Sequence, residues 1–291
     1  PADGPLATRE NGMSGRGAGP SSSAVDAAAR VGAANGFAVD GARVLDETNN
    51  VVVWLYPHGV IAKVGRWPHS VEALGREQAV ATALARAGAP IATPAAAAPM
   101  VDDVTGFVVT LWHRLEADPS RDVAPLEAGA SLRELHEHLR GYSGELPDFR
   151  DHVASARSAL DDDGAMAALP NPDRQVLRGA IDAWRGRVDA ASFVSRPLHG
   201  EPHLGNVLPT PDGPRWVDLE DVCTGPSEWD LAFLPEDAVA AFGDVDADLL
   251  ALLRDLVSAV VATWCWVRAD ADGMLPHARY HLARVKAARD V

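Results

Sequence analysis

Between residues 37 and 64 the apolar positions come in three short runs rather than at helical spacing. Runs 37–45, 50–56 and 59–64 each read as a strand, with Asn49-Asn50 and Pro57-His58-Gly59 supplying the turns. Three consecutive strands joined so tightly form an antiparallel meander. Upstream, residues 23–35 are Ala-rich and read as a short helix. Downstream, Ser70 caps a helix that runs through Glu72, Glu77 and Leu84 to Ala87 and is closed by Gly88. Pro90 and Pro94 follow, then a fourth strand over 107–112 and a connector over 113–119.

From about residue 125 the period changes. Leu132, Leu135 and Leu139 recur at helical spacing within 126–139, and segments 151–160, 172–188, 227–241, 247–268 and 276–288 also read as helices. Residues 199–219 interrupt the run. Pro211-Asp212-Gly213-Pro214 is a hairpin turn flanked by short strands at 206–208 and 215–219. No internal repeat is visible. The pattern predicts an α+β fold of two lobes: a small strand-rich N-lobe over 23–112, a hinge over 113–119 and a larger helical C-lobe over 120–291. Residues 1–22 are rich in Gly, Ser, Pro and Ala without periodicity and are expected to be a disordered leader.

Composition narrows the function. The chain has 291 residues, 47% hydrophobic and 23% charged, as an ordinary globular protein has. A formal charge of −15 argues against non-specific nucleic-acid binding, which needs a basic face. It favours cationic ligands by steering, with solubility alone as the plainer account. Two cysteines, Cys223 and Cys265, make no disulfide framework and fit a reducing cytoplasm. No stretch is expected to reach the length of a membrane span, and no signal peptide is visible.

The chemistry concentrates in His199-Gly200-Glu201-Pro202-His203-Leu204-Gly205-Asn206 and in Val217-Asp218-Leu219-Glu220-Asp221. The hairpin should bring Asn206 and Asp218 side by side, an amide oxygen and a carboxylate suited to Mg²⁺ with phosphate oxygens. Glu201 is placed to face a substrate hydroxyl, and His203 is the second catalytic candidate. A zinc-hydrolase reading of His199, Glu201 and His203 needs two His on one helical face, which Pro202 opposes.

A second signal lies in the strand-rich half. The chain contains two Lys, Lys63 and Lys286, against many Arg, and Lys63 sits in an apolar strand. Paired with Glu77 on the next helix, it can position nucleotide phosphates; Glu72, one turn earlier, is the rival partner. No P-loop motif is present, so a nucleotide must bind under strands. Trp112 and Arg114, where the last strand meets the connector, are further nucleotide-contact candidates, although the default reading of Arg114, His136 and His138 is structural. Trp264 and Trp266 read as core, with a cation–π wall as the alternative. Asp230 is placed to brace the 199–206 loop by hydrogen bonds. Glu228, Glu236 and Asp237 are candidates for facing a cationic substrate.

These residues carry a resemblance. The chain resembles the aminoglycoside phosphotransferase and choline kinase family, a small-molecule branch of the protein-kinase fold. Its signature, His-Gly-Asp-x-His-x-x-Asn, then Ile/Val-Asp-Phe-Glu/Asp, then Asp-Leu-Ala, is matched by His199 to Asn206, Val217 to Glu220, and Asp230-Leu231-Ala232. The resemblance implies Glu201 as catalytic base, Asn206 and Asp218 as Mg²⁺ ligands, and Lys63 with Glu77 on the phosphates of ATP. It implies phosphoryl transfer to a hydroxyl of a small molecule, an aminoglycoside-like antibiotic or amino sugar; a neutral sugar, nucleoside or amino alcohol, or a non-catalytic nucleotide-binding scaffold, are the alternatives. Three departures stand out. Glu201 replaces the family's Asp, Leu219 replaces an aromatic, and Asp46-Glu47-Thr48-Asn49-Asn50 stands where a Gly-rich loop is usual.

Overall fold

The computed structural model describes residues 20–65, 70–271 and 273–289. The expected leader lies outside the described residues except for 20–22, which open a helix. The chain runs α1 (Pro20–Ala34), β1 (Val39–Asp46), β2 (Val51–Pro57), β3 (Val60–Val64), α2 (Ser70–Arg86), β4 (Met100–Val101), β5 (Val108–His113) and α3 (Pro125–Leu139). Then come α4 (Phe149–Ala159), α5 (Asn171–Ala190), β6 (Arg196–Leu198), a 3₁₀ turn (Leu204–Asn206), β7 (Val207–Thr210), β8 (Gly213–Trp216) and β9 (Cys223–Gly225). Helices α6 (Ser227–Leu231), α7 (Glu236–Phe242), α8 (Ala247–Val267) and α9 (Met274–Arg289) complete it.

Two compact units are formed: residues up to Gly144 with Leu204–Glu220, and Glu145–His203 with Asp221 onward. In the first unit β1, β2, β3, β5 and β4 lie in that order in one antiparallel sheet, so the meander is there with a returning strand added. Alternation sends Val53, Leu55, Ala62, Val64, Val109 and Leu111 into one core with Ala24, Ala28 and Val31 of α1. The opposite parity carries the row Val52, Lys63 and Thr110 and the row Trp54, Ile61 and Trp112.

By compactness α3 and the β7–β8 hairpin group with the sheet in the first unit. The reason is Trp216. Fully buried, it donates its indole N–H to Ser131 Oγ on α3 at 3.2 Å, and its backbone bonds Pro90 and Ala92 at 2.8 Å each. A large aromatic at the end of β8 thus anchors the hairpin to α3 and to the segment after α2.

The second unit is built around α8, which packs with α4, α5, α6 and α9. Its core joins Phe149, Ile181, Trp229, Leu253, Leu256 and Val285 among others. Among the described residues α8 is long and apolar enough to cross a membrane by length and composition alone, which corrects the expectation that no stretch reaches that length. The share of its apolar window buried in the fold is 67%. A helix enclosed by several others is apolar on most of its faces, and that is the physical reason for its composition. Trp266 is in this core and Trp264 packs against it, as the core reading expected.

Candidate active site

In the first unit β3 delivers Lys63 to the sheet face opposite α1, and α2 delivers Glu77 to it. Both Glu77 carboxylate oxygens accept from Lys63 Nζ at 3.0 Å. Lys63 is 8% exposed and Glu77 1%, so this is a buried pair; Glu72, the rival partner, is exposed. Two further carboxylates reach the same ammonium, Asp218 Oδ1 at 2.6 Å and Glu220 Oε1 at 2.5 Å. Burial works against the Lys63 charge, yet Asp218, Glu77 and Glu220 hold its pKa well above the ordinary lysine value. Burial pushes Glu77 the other way, up to about 8, with Asp218 and Glu220 adding to the effect and Lys63 opposing it.

The segment after β8 is shaped for this. Asp218 has φ 64°, the one positive φ outside glycine among the described residues. Its backbone sits in a region costly for a side-chain-bearing residue, and such positions gather where geometry serves function. Leu219 N–H donates to Glu77 Oε1 at 3.1 Å, tying the segment to α2. Glu220 accepts from the Asn50 amide, and its backbone carbonyl accepts from Arg76 Nη2 at 3.2 Å. Val217 N–H donates to the Asn206 carbonyl at 2.9 Å, so the hairpin brings Asn206 against the residue before Asp218. Asn206 itself is buried.

Trp112 and Arg114 belong to the same region. Trp112 is buried, with its indole N–H on Thr110 Oγ at 2.8 Å. The Arg114 guanidinium lies over the Trp54 ring, 4.5 Å from its centroid.

The second unit holds the loop before Asn206. β6 pairs with β9, and His199 and Gly200 follow β6. Asp230, fully buried on α6, accepts from His199 N–H at 2.8 Å and Gly200 N–H at 2.9 Å, which is the bracing its position predicts. Trp229 Nε1–H donates to the Gly200 carbonyl at 2.9 Å. Gly200 has φ 99°, and a Cβ there would stand 1.9 Å from the Asp221 carbonyl oxygen, so only glycine fits. Glu201 follows, half-buried, with its N–H on the ring Nδ1 of the buried His199 at 3.4 Å. His203 is exposed. Burial raises the Cys265 thiol pKa; Arg268 and Glu201 are both near enough to modulate it, in opposite directions.

Of the three carboxylates expected to face an acceptor, two have partners in the fold. Glu228 accepts from Asp246 N–H at 3.0 Å, and Glu236 pairs with Arg254. Asp237 is exposed in the first turn of α7. Among the described residues no three His, Cys, Asp or Glu are arranged to hold a metal ion by themselves, so His199, Glu201 and His203 make no zinc cage. Asn206 and Asp218 are hard oxygen donors of the sort that hold Mg²⁺ with waters and phosphates, for which two protein ligands suffice.

The contributions of Glu220, Asn50 and Arg76 exceed what the motifs indicated. Glu220 was visible as an acid two residues beyond Asp218, but the turn of the chain at Asp218, with its φ of 64°, was not. Asn50 carried a turn signal and a place in the 46–50 turn that stands where a Gly-rich loop is usual, neither of which pointed to Glu220.

The family model described as the phosphotransferase enzyme family matches residues 42–272. Stress response kinase A of Salmonella choleraesuis is 36% identical over 77 residues, which are 26% of this chain and 22% of that protein's length. The chain thus spans under a quarter of that curated relative. A choline/ethanolamine kinase family protein from Mesorhizobium loti shares the fold at TM-score 0.64 and 19% identity, over 92% of this chain and 94% of the other. The amicoumacin kinase hAmiN, solved with AMP-PNP and Ca²⁺, does so at TM-score 0.65 and 12% identity, over 85% of this chain and 88% of the other. The α+β, kinase-like fold expected from the motifs is the fold found.

Proposed function

We propose, from the premise that this chain belongs to the phosphotransferase enzyme family, that it transfers the γ-phosphoryl group of ATP to a hydroxyl of a small molecule. The observation that carries the reading is the Lys63 cluster: a buried strand lysine paired to a helix glutamate, with Asp218 closing on the same ammonium. That set suits phosphates and a divalent cation better than any structural role, since a buried ionic cluster adds little stability.

Each residue has a defined task. Lys63, oriented by Glu77, pairs with the nucleotide phosphates. Asp218 and Asn206 would hold Mg²⁺, which would offset the charge of the phosphate oxygens. Glu201, on the loop fixed by Asp230 and Gly200, orients the acceptor hydroxyl and takes its proton as the oxygen bonds to the γ-phosphorus and ADP leaves. The extra methylene of Glu201 relative to the family's Asp shifts the carboxylate by about one bond length, a scale that near-attack geometry feels. His203 is assigned as an exposed neighbour of the base, and Trp112 and Arg114 as contacts to the nucleotide. The acceptor is a cationic amino alcohol or amino sugar: the charge of −15 steers cations, and Asp237 remains exposed for them.

Two measurements test this. A coupled ATP-consumption screen over aminoglycosides, amino sugars, choline-like alcohols, neutral sugars and nucleosides should yield a cationic acceptor whose turnover weakens with ionic strength. A neutral best acceptor rejects the cationic assignment. Calorimetry with ATP and Mg²⁺ should show Lys63→Ala binding clearly weaker than wild type; equal affinities reject the nucleotide assignment.

A further inference from the structure

Three carboxylates share the Lys63 ammonium, and one of them is Asp218, the metal ligand of the function proposed above. Asp218 Oδ1, at 2.6 Å, is among the tightest of its contacts. An oxygen closed on an ammonium at that distance cannot also approach a divalent ion to about 2.1 Å without forcing two cations together. Glu77 differs from the other two. It holds Lys63 through both oxygens equally, at 3.0 Å, and is fixed in turn by Leu219 N–H. The ammonium can therefore leave Asp218 and Glu220 while keeping Glu77. Glu220 has the Asn50 amide besides Lys63, so it too keeps a partner when the ammonium moves.

We propose that Lys63 is a built-in competitor of the divalent cation: its ammonium closes on the Asp218 oxygen that the metal needs, and the metal binds strongly only when nucleotide phosphates draw the ammonium off. Metal and nucleotide then bind with positive coupling, and Lys63 is the element that couples them. This rests on the proposed function in taking Asp218 as the metal's carboxylate.

The test is a titration of the full chain with Mn²⁺ alone, read by the EPR signal of the free ion. Wild type binds Mn²⁺ weakly, Lys63→Arg behaves alike because the charge stays, and Lys63→Met binds at least about tenfold tighter. In Lys63→Met the gain disappears on adding Asp218→Asn. Lys63→Met binding no tighter than wild type, or a gain that survives Asp218→Asn, overturns the proposal. Should Lys63→Met fail to fold, refolding with Mn²⁺ decides: recovery supports the competition, and failure to recover overturns it. The same titration with AMP-PNP separates the two ideas. Wild type that takes up Mn²⁺ with AMP-PNP, while Lys63→Met gains nothing, sinks the competition and leaves phosphotransfer standing. No uptake by wild type with AMP-PNP overturns the coupling through Lys63, and alongside a gain in Lys63→Met it sinks phosphotransfer as well.

Discussion

Glu77 in the first unit and Asp230 in the second are both carboxylates sealed from solvent, and they are neutralised by opposite means. Glu77 meets a side-chain cation that two other acids also claim. Asp230 meets two backbone N–H groups of a loop whose path admits no side chain at Gly200. A side-chain cation on a flexible stem can be exchanged for another cation. Backbone donors cannot be exchanged without moving the chain. The first arrangement suits a place where charge arrives and departs, the second a place where a base must be held still.

Four experiments probe that contrast, the largest effect first. Gly200→Ala should destabilise by about 3 kcal/mol or more, because the contact is with backbone and cannot rotate away. A denaturant midpoint close to wild type would break the claim that the loop is set by its backbone. Asp230→Asn keeps the shape but turns an N–H₂ toward one of two buried N–H donors, for a loss of about 2 kcal/mol. Unchanged stability would show that the loop does not depend on the brace. Glu77→Gln should sharpen the contrast. It still accepts from Leu219 N–H and leaves Lys63 two carboxylates, so stability should move by about 1 kcal/mol, the net worth of a hydrogen bond. Turnover should nevertheless fall about a hundredfold, since the lysine loses its orientation; a strong loss of stability with normal turnover would reverse the roles of the two acids.

The smallest effect concerns Asp102, which combines both kinds of partner. The Arg30 guanidinium, at 2.7 and 2.8 Å, and Thr105 hold its carboxyl well below the usual value of 3.8. A depressed folded pKa contributes stability that is complete above the unfolded value and is lost as pH falls through the folded one. The gap between wild type and Asp102→Asn in urea midpoints should therefore be constant near neutrality and narrow below about pH 4. A gap unchanged down to pH 3 rules out this coupling.

Much of this was readable in advance. The alternation in 50–56 and 59–64 defined β2 and β3, and with them Lys63's face. The Leu132, Leu135 and Leu139 spacing defined α3. Strands β4, β6 and β9 were not foreseen, since two or three residues beside prolines show no period. The Asp230 brace was legible because it lies in a motif. Asn50 on Glu220 was not, because 170 residues separate them and only the sheet register and the path after β8 bring them together. The positive φ at Asp218 was hidden for a different reason: that conformation is ordinarily announced by glycine, and here it is imposed by tertiary contacts. The hairpin's membership of the first unit turned on Trp216, whose neighbours lie far away in sequence.

That membership has a consequence for how the protein is made. Synthesis delivers the sheet, α2 and α3 first, but Ser131, Pro90 and Ala92 wait for a partner that arrives only with Trp216. By then α4, α5 and β6 of the second unit have already emerged, while β9 and α6 to α9 have not. Neither unit can be finished before the other has begun, so the usual order of one domain after another along the nascent chain does not apply. A gene cut at residue 120 separates the sheet from α3 and the hairpin that complete its unit, and the two fragments must be made together to recover the fold.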